Sequence, residues 1–317
     1  MLKMMCSIDL SVSTRIPLQL CTIKVSSRSY SYLVYYLITA CNEVISVVNV
    51  HTAEIVKKFY DSEATYGYIT AMTLFEDKND VRGKLLAVGF SSGHVIVYDF
   101  DNILKENSKN QNVEFVHKFN LHKSGVTSLA FDKTGSVLAS GGLDTYIIIY
   151  DIIEGVSLYK LMGHKDSVTQ LQFHLFSYGK NESMQEDSLI HSNKARRFEE
   201  MLVSSSKDTS LKVWDLESQF WAQTVMDTNQ KAYSFAIFKE MILVGAEDEK
   251  VRIYKCGIKQ RTDDLSRKFF VYVDLLGSFD KKGSERVVEI SVAYDQSHIV
   301  VTSADGNIGN NFTKFNI

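Results

Sequence analysis

The sequence predicts an all-β fold of the β-propeller type, built from repeated four-stranded units. Two observations support this: short apolar strands rich in β-branched residues alternate with polar turns of Gly, Asp and Ser, and the pattern recurs at about 40 residues. His122 and His164 are 42 positions apart, and Trp214 and Tyr254 are 40 apart. No helical periodicity of the apolar residues is sustained, which disfavours a helical repeat.

The clearest copies of the repeat end in an aromatic residue after an apolar run. Each follows a strand of small and apolar residues across a short polar turn, which is typical of a β-hairpin. Another apolar segment lies before each hairpin and a fourth usually follows it, which gives four strands per unit. The hairpin endings are Val95–Asp99, Ile147–Asp151, Leu211–Asp215 and, with lysine replacing the aspartate, Val251–Lys255.

Six such units are recognisable, and they predict a propeller over residues 33–317 with an insertion at residues 174–200. Residues 1–32 match no unit and form an atypical N-terminal segment, with one outer or closing strand expected around residues 18–25. The last unit lacks the aromatic-Asp ending. Since a propeller closes to avoid open sheet edges, the sequence favours a seven-bladed architecture with a missing or degenerate blade, or an incomplete one.

Composition and motifs limit the function. Hydrophobic residues make up 45% of the chain and the net charge is −3, which excludes a mainly disordered chain and a strongly basic nucleic-acid binder, though not a local basic patch. The four cysteines include no C-x-x-C pair, so we expect free, buried thiols and no metal site. With no phosphate loop or nucleophile elbow, we expect no cofactor and no catalysis.

The longest apolar run, Tyr32–Cys41, is too short to span a membrane, so we expect a soluble intracellular protein.

Two sets of polar residues recur at the repeat period. In each set we expect an aspartate in a tight turn to form a hydrogen bond with a histidine. The same imidazole ring forms a second hydrogen bond with a serine, and the serine forms one with an aromatic side chain. Ser, His and Asp could also suggest a hydrolase triad, but a catalytic site does not recur along a chain, so we interpret both sets as structural relays. The sets are His164, Ser204, Asp208 and Trp214, and His122, Ser140, Asp144 and Tyr150.

The repeat resembles the WD type. Leu121-His122 and Gly163-His164 stand where that family has its Gly-His dipeptide, and Trp214-Asp215 matches its Trp-Asp ending. Gly142–Asp151, Gly155–Asp166 and Ser204–Leu216 further resemble the N-terminal propeller of one family. That family is the tandem-propeller WD-repeat subunit of the UtpB module of the small-subunit processome, and the resemblance covers about residues 35–306.

This resemblance implies a non-catalytic scaffold in ribosome biogenesis. The family supports processing of small-subunit ribosomal RNA in a nucleolar complex that contains a small nucleolar RNA and other WD-repeat proteins, with no membrane and no small-molecule substrate. Family members are much longer, with a second propeller and a helical C-terminal region. The chain is therefore interpreted as a divergent short member, a fragment or an incomplete gene model.

A different multiprotein complex is the alternative, because one fold hosts many functions. A WD-repeat adaptor in ubiquitin ligation, trafficking or signalling would have the same repeats. The 174–200 insertion is either a docking loop or a plain surface insertion. Acidic residues are interleaved with most basic ones, so contact with pre-rRNA or a small nucleolar RNA complex is expected to be mostly indirect. The candidate partner or RNA contacts are Lys194, Arg196, Arg197, Lys123 and Lys165.

Overall fold

The computed structural model is almost entirely β, and it divides the chain into two compact units, Met1–Met162 and Gly163–Ile317. Within its described part every sheet is antiparallel, with strands in chain order. No described helix is both long and apolar enough to cross a membrane. The structure describes residues 19–26, 31–60, 66–77, 83–105, 113–177, 198–216, 221–227, 229–260, 269–281, 285–292, 299–304 and 308–311.

The described residues of the first unit form three four-stranded sheets. The first sheet consists of β1 (Gln19–Ser26), β2 (Ser31–Cys41), β3 (Val44–Asn49) and β4 (Ile55–Phe59). The second consists of β5 (Ile69–Glu76), β6 (Lys84–Phe90), β7 (His94–Asp99) and β8 (His117–Asn120), with helix α1 (Phe100–Lys105) between β7 and β8. The third consists of β9 (Val126–Phe131), β10 (Val137–Gly142), β11 (Ile147–Asp151) and β12 (Val156–Leu161).

The described residues of the second unit form two four-stranded sheets and one three-stranded sheet. The first consists of β13 (Val168–Ser177), β14 (Phe198–Ser206), β15 (Ser210–Asp215) and β16 (Trp221–Asp227). The second consists of β17 (Ala232–Phe238), β18 (Met241–Ala246), β19 (Lys250–Gln260) and β20 (Phe269–Asp280). The three-stranded sheet consists of β21 (Val287–Val292), β22 (Ile299–Ser303) and β23 (Ile308–Asn311).

Burial is high in the second strand of the sheets β5–β8 and β17–β20. Every residue of β18 is buried, and so are the last five of β6, because both faces of these strands are covered by neighbouring side chains. Their sequences are accordingly continuous runs of apolar and small residues with little polar alternation. The core therefore lies along the middle of the sheets, and the polar side chains buried there need partners of their own.

The first sheet begins earlier than the boundary expected at residue 33. β1 pairs with β2 from Gln19↔Ile38 to Ser26↔Ser31, so the outer strand expected around residues 18–25 is present and belongs to the first sheet. The physical reason is the period-2 pattern of Cys21, Ile23 and Val25, which alternate with polar Thr22 and Lys24. The earlier residues of that segment lie outside the described part of the chain.

The insertion expected at residues 174–200 is also narrower. β13 and β14 continue as a paired hairpin from His174↔Met201 to Ser177↔Phe198. Both ends of the expected insertion are thus strand, because apolar Leu175 and Phe176 extend the β13 pattern. Residues 178–197, with Lys194, Arg196 and Arg197, lie outside the described residues.

Helix α1 begins the polar connector that joins β7 to β8. The Asp99 carboxylate accepts a hydrogen bond from the Asn102 backbone N–H at 3.1 Å, which caps the first turn. Phe100 and Ile103, both in α1, are buried. A capping aspartate and two apolar residues three apart therefore order the first part of the connector.

Candidate functional site

The first buried polar cluster belongs to the sheet β13–β16. His164 precedes β13, Ser204 lies on β14, Asp208 lies in the turn after β14, and Trp214 lies on β15. The His164 Nδ1 atom is 2.9 Å from Asp208 Oδ2, and His164 Nε2 is 2.7 Å from Ser204 Oγ. The Trp214 Nε1–H donates to Ser204 Oγ at 2.8 Å. The structure thus brings all four residues together.

The turn around Asp208 explains why this carboxylate is held in place. Thr209 has a φ of 71°, a left-handed conformation that reverses the chain tightly between β14 and β15. Asp208 Oδ1 accepts from the backbone N–H of Ser210 at 3.0 Å and from its hydroxyl at 2.7 Å. Its other oxygen accepts from the Lys165 N–H at 2.8 Å. The aspartate therefore ties the loop before β13 to the hairpin turn.

A second cluster of the same construction belongs to the sheet β9–β12. His122 Nδ1 is 2.9 Å from Asp144 Oδ1, and His122 Nε2 is 2.7 Å from Ser140 Oγ. The Tyr150 hydroxyl lies 3.0 Å from Ser140 Oγ. A Cβ atom on Gly142 would come within 2.5 Å of the His122 ring, so only glycine fits beside it. This cluster also joins the loop before a first strand to the next hairpin turn.

The electrostatics favour neutral imidazoles in both clusters. Burial lowers the pKa of His122 and of His164 below the ordinary value, although the neighbouring aspartate favours the charged form. Burial would raise the pKa of Asp208, but hydrogen bonds from Ser210, Lys165 and His164 outweigh it and bring that pKa down to about 2. A neutral ring can donate from Nδ1 to the aspartate and accept from the serine hydroxyl at Nε2.

The chemistry open to these clusters follows from their burial. Ser140 and Ser204 are both 0% exposed, so their hydroxyls cannot meet a substrate from solution. Each serine instead accepts one hydrogen bond from its aromatic neighbour and donates one to imidazole, which satisfies every member of the chain. The arrangement can hold strands and turns in register, and it offers no open position for a reacting group.

The sheets β5–β8 and β17–β20 place apolar residues at the position of the relay serine. Val88 on β6 and Val244 on β18 are each 0% exposed. In the sheet β17–β20 the turn aspartate persists as Asp248, but it forms an ion pair with Arg252. Apolar packing in the core thus takes the place of the relay serine's hydrogen bonds. In the sheet β17–β20 an ion pair with Arg252 takes the place of the bond between the turn aspartate and a histidine.

Two of the candidate contact residues are placed by the relays. Lys123 and Lys165 directly follow His122 and His164, and both lysines are exposed. Their backbone N–H groups donate to the relay aspartates at 2.9 and 2.8 Å, which fixes the start of each side chain. Within the residues described, no group of His, Cys, Asp and Glu could hold a metal ion.

Sequence reasoning missed one polar residue, Thr39 on β2. It is 2% exposed and its hydroxyl has no hydrogen-bond partner among the described residues. The signal that could have found it is its place two residues after Leu37, as Ser140 follows Leu138. Thr39 lines a pocket of about 750 Å³. The other lining residues are Ala40, Cys41, Asn42, Glu43, Val44, Ser46, Ile55, Lys58, Gly67 and Tyr68.

Comparison with known families now decides the classification. The family described as "Nucleolar protein 10-like, N-terminal domain", a β-propeller, matches residues 85–257, more than half of the chain. The chain belongs to this family. The matched range contains both polar relays, and it confirms the interpretation as a WD-repeat β-propeller of nucleolar type.

Individual relatives are more distant. The chain is 25% identical over 189 residues to a WD repeat-containing protein 89 homolog of Dictyostelium discoideum, covering 56% of this chain and 46% of the relative. It is 24% identical over 156 residues to the pre-mRNA-splicing factor cwf17 of Schizosaccharomyces pombe, covering 42% and 46%. The chain thus spans less than half the length of either relative.

A solved structure supports the fold alone. The crystal structure of the computationally designed Ika8 protein matches 92% of this chain and 70% of its own, with a TM-score of 0.56 and 18% sequence identity. At that identity the likeness concerns architecture, and function has to be argued from the family and from the residues.

Proposed function

We propose that this protein is a non-catalytic WD-repeat scaffold in ribosome biogenesis. It acts in the nucleolus, within the small-subunit processome, where it supports processing of ribosomal RNA precursors beside other WD-repeat proteins. The observation that carries the proposal is the match of residues 85–257 to the nucleolar protein 10-like domain. The resemblance of the Gly142–Asp151 and Ser204–Leu216 segments to a UtpB subunit supports the same process.

The relays have a structural role in this proposal. Each ties the loop before the first strand of a sheet to the turn between its second and third strands through one aspartate. Because the serines are fully buried, the clusters stabilise the sheet ends instead of reacting with a substrate. A scaffold needs such rigid ends, since they hold surface loops in a fixed geometry for partners.

Exposed apolar side chains mark where partners would dock. They lie on or directly before the fourth strand of four sheets, at the sheet edge, where each is 43% exposed or more. Apolar residues at an accessible edge strand favour association with another protein. These residues are Ile55, Val56, Phe115, Val116, Val156, Leu158, Leu275 and Leu276.

RNA contact would be a smaller part of the function. Lys123 and Lys165 present exposed ammonium groups beside the relays, and such groups contact phosphates in a salt-sensitive way. With a net charge of −3, the chain has no overall attraction for RNA. We therefore infer that association with pre-rRNA and small nucleolar RNA is mainly through protein partners.

Affinity purification of the endogenous protein tests the proposal. We expect small-subunit processome proteins, precursor ribosomal RNA and a small nucleolar RNA to co-purify. The double variant Val156→Asp and Leu158→Asp on β12 should lose the proteins, and Ser157→Asp on the same strand is the matched control. Recovery of ligase or trafficking subunits without these RNAs would move the protein to the adaptor alternative.

Pre-mRNA splicing is a second candidate process. It rests on the 24% identity to cwf17, whose name makes it a splicing factor. The same purification separates the two processes, because a splicing component would bring down spliceosomal RNA and unspliced messenger RNA in place of ribosomal RNA precursors.

A further inference from the structure

The pocket of about 750 Å³ lies beside the turn between β2 and β3. The Ile69 backbone N–H donates to the Asn42 carbonyl at 2.7 Å, which holds the segment before β5 against this turn. The turn contributes Glu43 to the pocket lining, and the segment contributes Tyr68. Both side chains are exposed, that of Tyr68 to 57%. A carboxylate and an aromatic ring thus line the same end of the pocket.

A hydroxyl and an ammonium group line another part of the pocket. Ser46 on β3 and Lys58 on β4 are cross-strand partners, so their side chains lie on one face of the sheet. Both line the pocket, and Lys58 is exposed. Ser46 comes three residues after Glu43, which is a rise of roughly 10 Å along a strand. The two charged side chains therefore leave the backbone at well separated points.

These four side chains are free to bind another molecule. In the part of the chain that the structure describes, none of them has a hydrogen-bond, ion-pair or ring partner. The pocket carries one negative and one positive group, so it has no net attraction for a polyanion such as RNA. Charge complementarity favours a ligand that also carries one charge of each sign, with the two charges well apart.

The separation of the charges selects a peptide. A free α-amino acid has its ammonium and carboxylate groups on a single carbon atom, too close together to meet both ends of the pocket. In an extended peptide, residues two apart lie on the same side and are roughly 7 Å from each other. Long basic and acidic side chains at those positions extend the span to the separation found here.

We propose that this pocket binds an extended segment of a partner polypeptide that carries an arginine and a glutamate two residues apart. The guanidinium group pairs with Glu43 and stacks on the Tyr68 ring. The ligand carboxylate pairs with Lys58 and accepts a hydrogen bond from the Ser46 hydroxyl. Ile55, which is 43% exposed, also lines the pocket and contacts the aliphatic parts of the two ligand side chains.

The test compares peptides that differ in one charge. Acetyl-Ala-Arg-Leu-Glu-Ala-amide and the same residues in reverse order are titrated into the isotope-labelled full chain, and the amide signals of residues 42–46, 58 and 68 are followed by NMR. We expect saturable shifts there for one chain direction, with a Kd of about a millimolar. Replacing the peptide's arginine by glutamine should weaken binding about fivefold, and replacing its glutamate by glutamine about twofold. Equal affinities for the three peptides, or shifts confined to other residues, overturn the proposal.

Variants of the protein assign each peptide charge to its partner. Glu43→Gln should abolish the preference for arginine over glutamine and keep the preference for glutamate, and Lys58→Gln should do the reverse. Glu54→Gln is the matched control, because Glu54 is exposed beside the same sheet but does not line the pocket, so it should keep both preferences. If Glu43→Gln leaves the preference for arginine intact, or if a mononucleotide binds the pocket more tightly than the peptide, the proposal is wrong.

This inference rests on the proposed function only in that the ligand belongs to a protein partner of a scaffold. The titration measures the pocket in the isolated chain, whereas the affinity purification measures the cellular process. A failed titration therefore leaves the role in ribosome biogenesis standing, and recovery of the wrong RNAs leaves the peptide site standing.

Discussion

The sheets β13–β16 and β17–β20 stabilise the same kind of hairpin in different ways. In the first, Ser204, His164 and Trp214 form a buried hydrogen-bonded chain that ends on Asp208. In the second, Val244 occupies the serine position, fully buried in an apolar core, and the turn aspartate pairs with Arg252. The turn aspartate is compatible with either arrangement, so its presence alone does not predict a relay.

The comparison shows that a sheet can lose the relay serine without leaving an unpaired hydroxyl at that position. The sheet β17–β20 replaces the serine by valine, so no hydroxyl is left without a partner at that position. The first sheet keeps the hydroxyl as Thr39 but has Val48 where a ring would bond it. In the first sheet the hydroxyl is kept without its ring partner, which leaves an unpaired polar group and costs stability.

The reciprocal exchange Ser204→Val and Val244→Ser gives the largest expected effect. Ser204→Val leaves His164 Nε2 and Trp214 Nε1–H unpaired, so it should lower the free energy of unfolding by roughly 2–4 kcal/mol. Val244→Ser buries one new hydroxyl and should cost about 1–3 kcal/mol. Urea unfolding measures both. A Ser204→Val protein as stable as the wild type would show that the relay does not stabilise this sheet.

The two turn aspartates give a smaller contrast. Asp208→Ala strands the buried Nδ1–H of His164 and should cost about 1–3 kcal/mol. Asp248→Ala breaks a partly exposed ion pair with Arg252 and should cost about 0–1 kcal/mol. Thermal or urea unfolding of the two variants under identical conditions shows which variant loses more stability. Equal destabilisation would mean that the buried hydrogen bond between Asp208 and His164 contributes no more to stability than the ion pair of Asp248.

The pH dependence of stability tests the neutral histidines. The pKa of His164 and of His122 is lowered by burial, so below about pH 6.5 the unfolded chain binds protons that the folded chain does not. Stability should therefore fall as the pH drops below about 6.5, by at most about 1.4 kcal/mol per pH unit for each histidine. Facing charges modulate this effect: Asp208 and Lys212 for His164, and Asp144 and Lys160 for His122.

The control for the pH experiment is the double variant His122→Asn and His164→Asn. Its absolute stability is lower, so the slope of unfolding free energy against pH is compared, and it should be shallower between pH 7 and 5. A second loss of stability is expected below about pH 4, because the pKa of Asp208 is held near 2 in the folded chain. An unchanged slope in the double variant would show that other groups cause the acid sensitivity.

The repeat made most of this fold predictable from sequence. Strand positions and both relays follow from spacing, because His122 and His164 recur with the same serine, aspartate and aromatic partners. α1 was missed because it does not belong to the repeat and depends on the cap from Asp99. The strand expected around residues 18–25 is β1, but its pairing with β2 is visible only in the structure. Thr39 was missed because the sequence analysis looked for serine together with its histidine and aromatic partners, and the strand β2 carries only the hydroxyl, two residues after Leu37.

The aromatic hydroxyls give the smallest expected effect and isolate one bond of the relay. Tyr150→Phe removes the hydroxyl that lies 3.0 Å from Ser140 Oγ, and it should cost about 0.5–1.5 kcal/mol because Ser140 keeps its bond to His122. Tyr254 holds the same register position opposite Ile242, but Val244 offers its hydroxyl no serine. Tyr254→Phe should therefore change stability by less than about 0.5 kcal/mol. Urea unfolding of both proteins makes the comparison, and a larger loss for Tyr254→Phe would show that the hydroxyl in β17–β20 has a stabilising role unrelated to any relay.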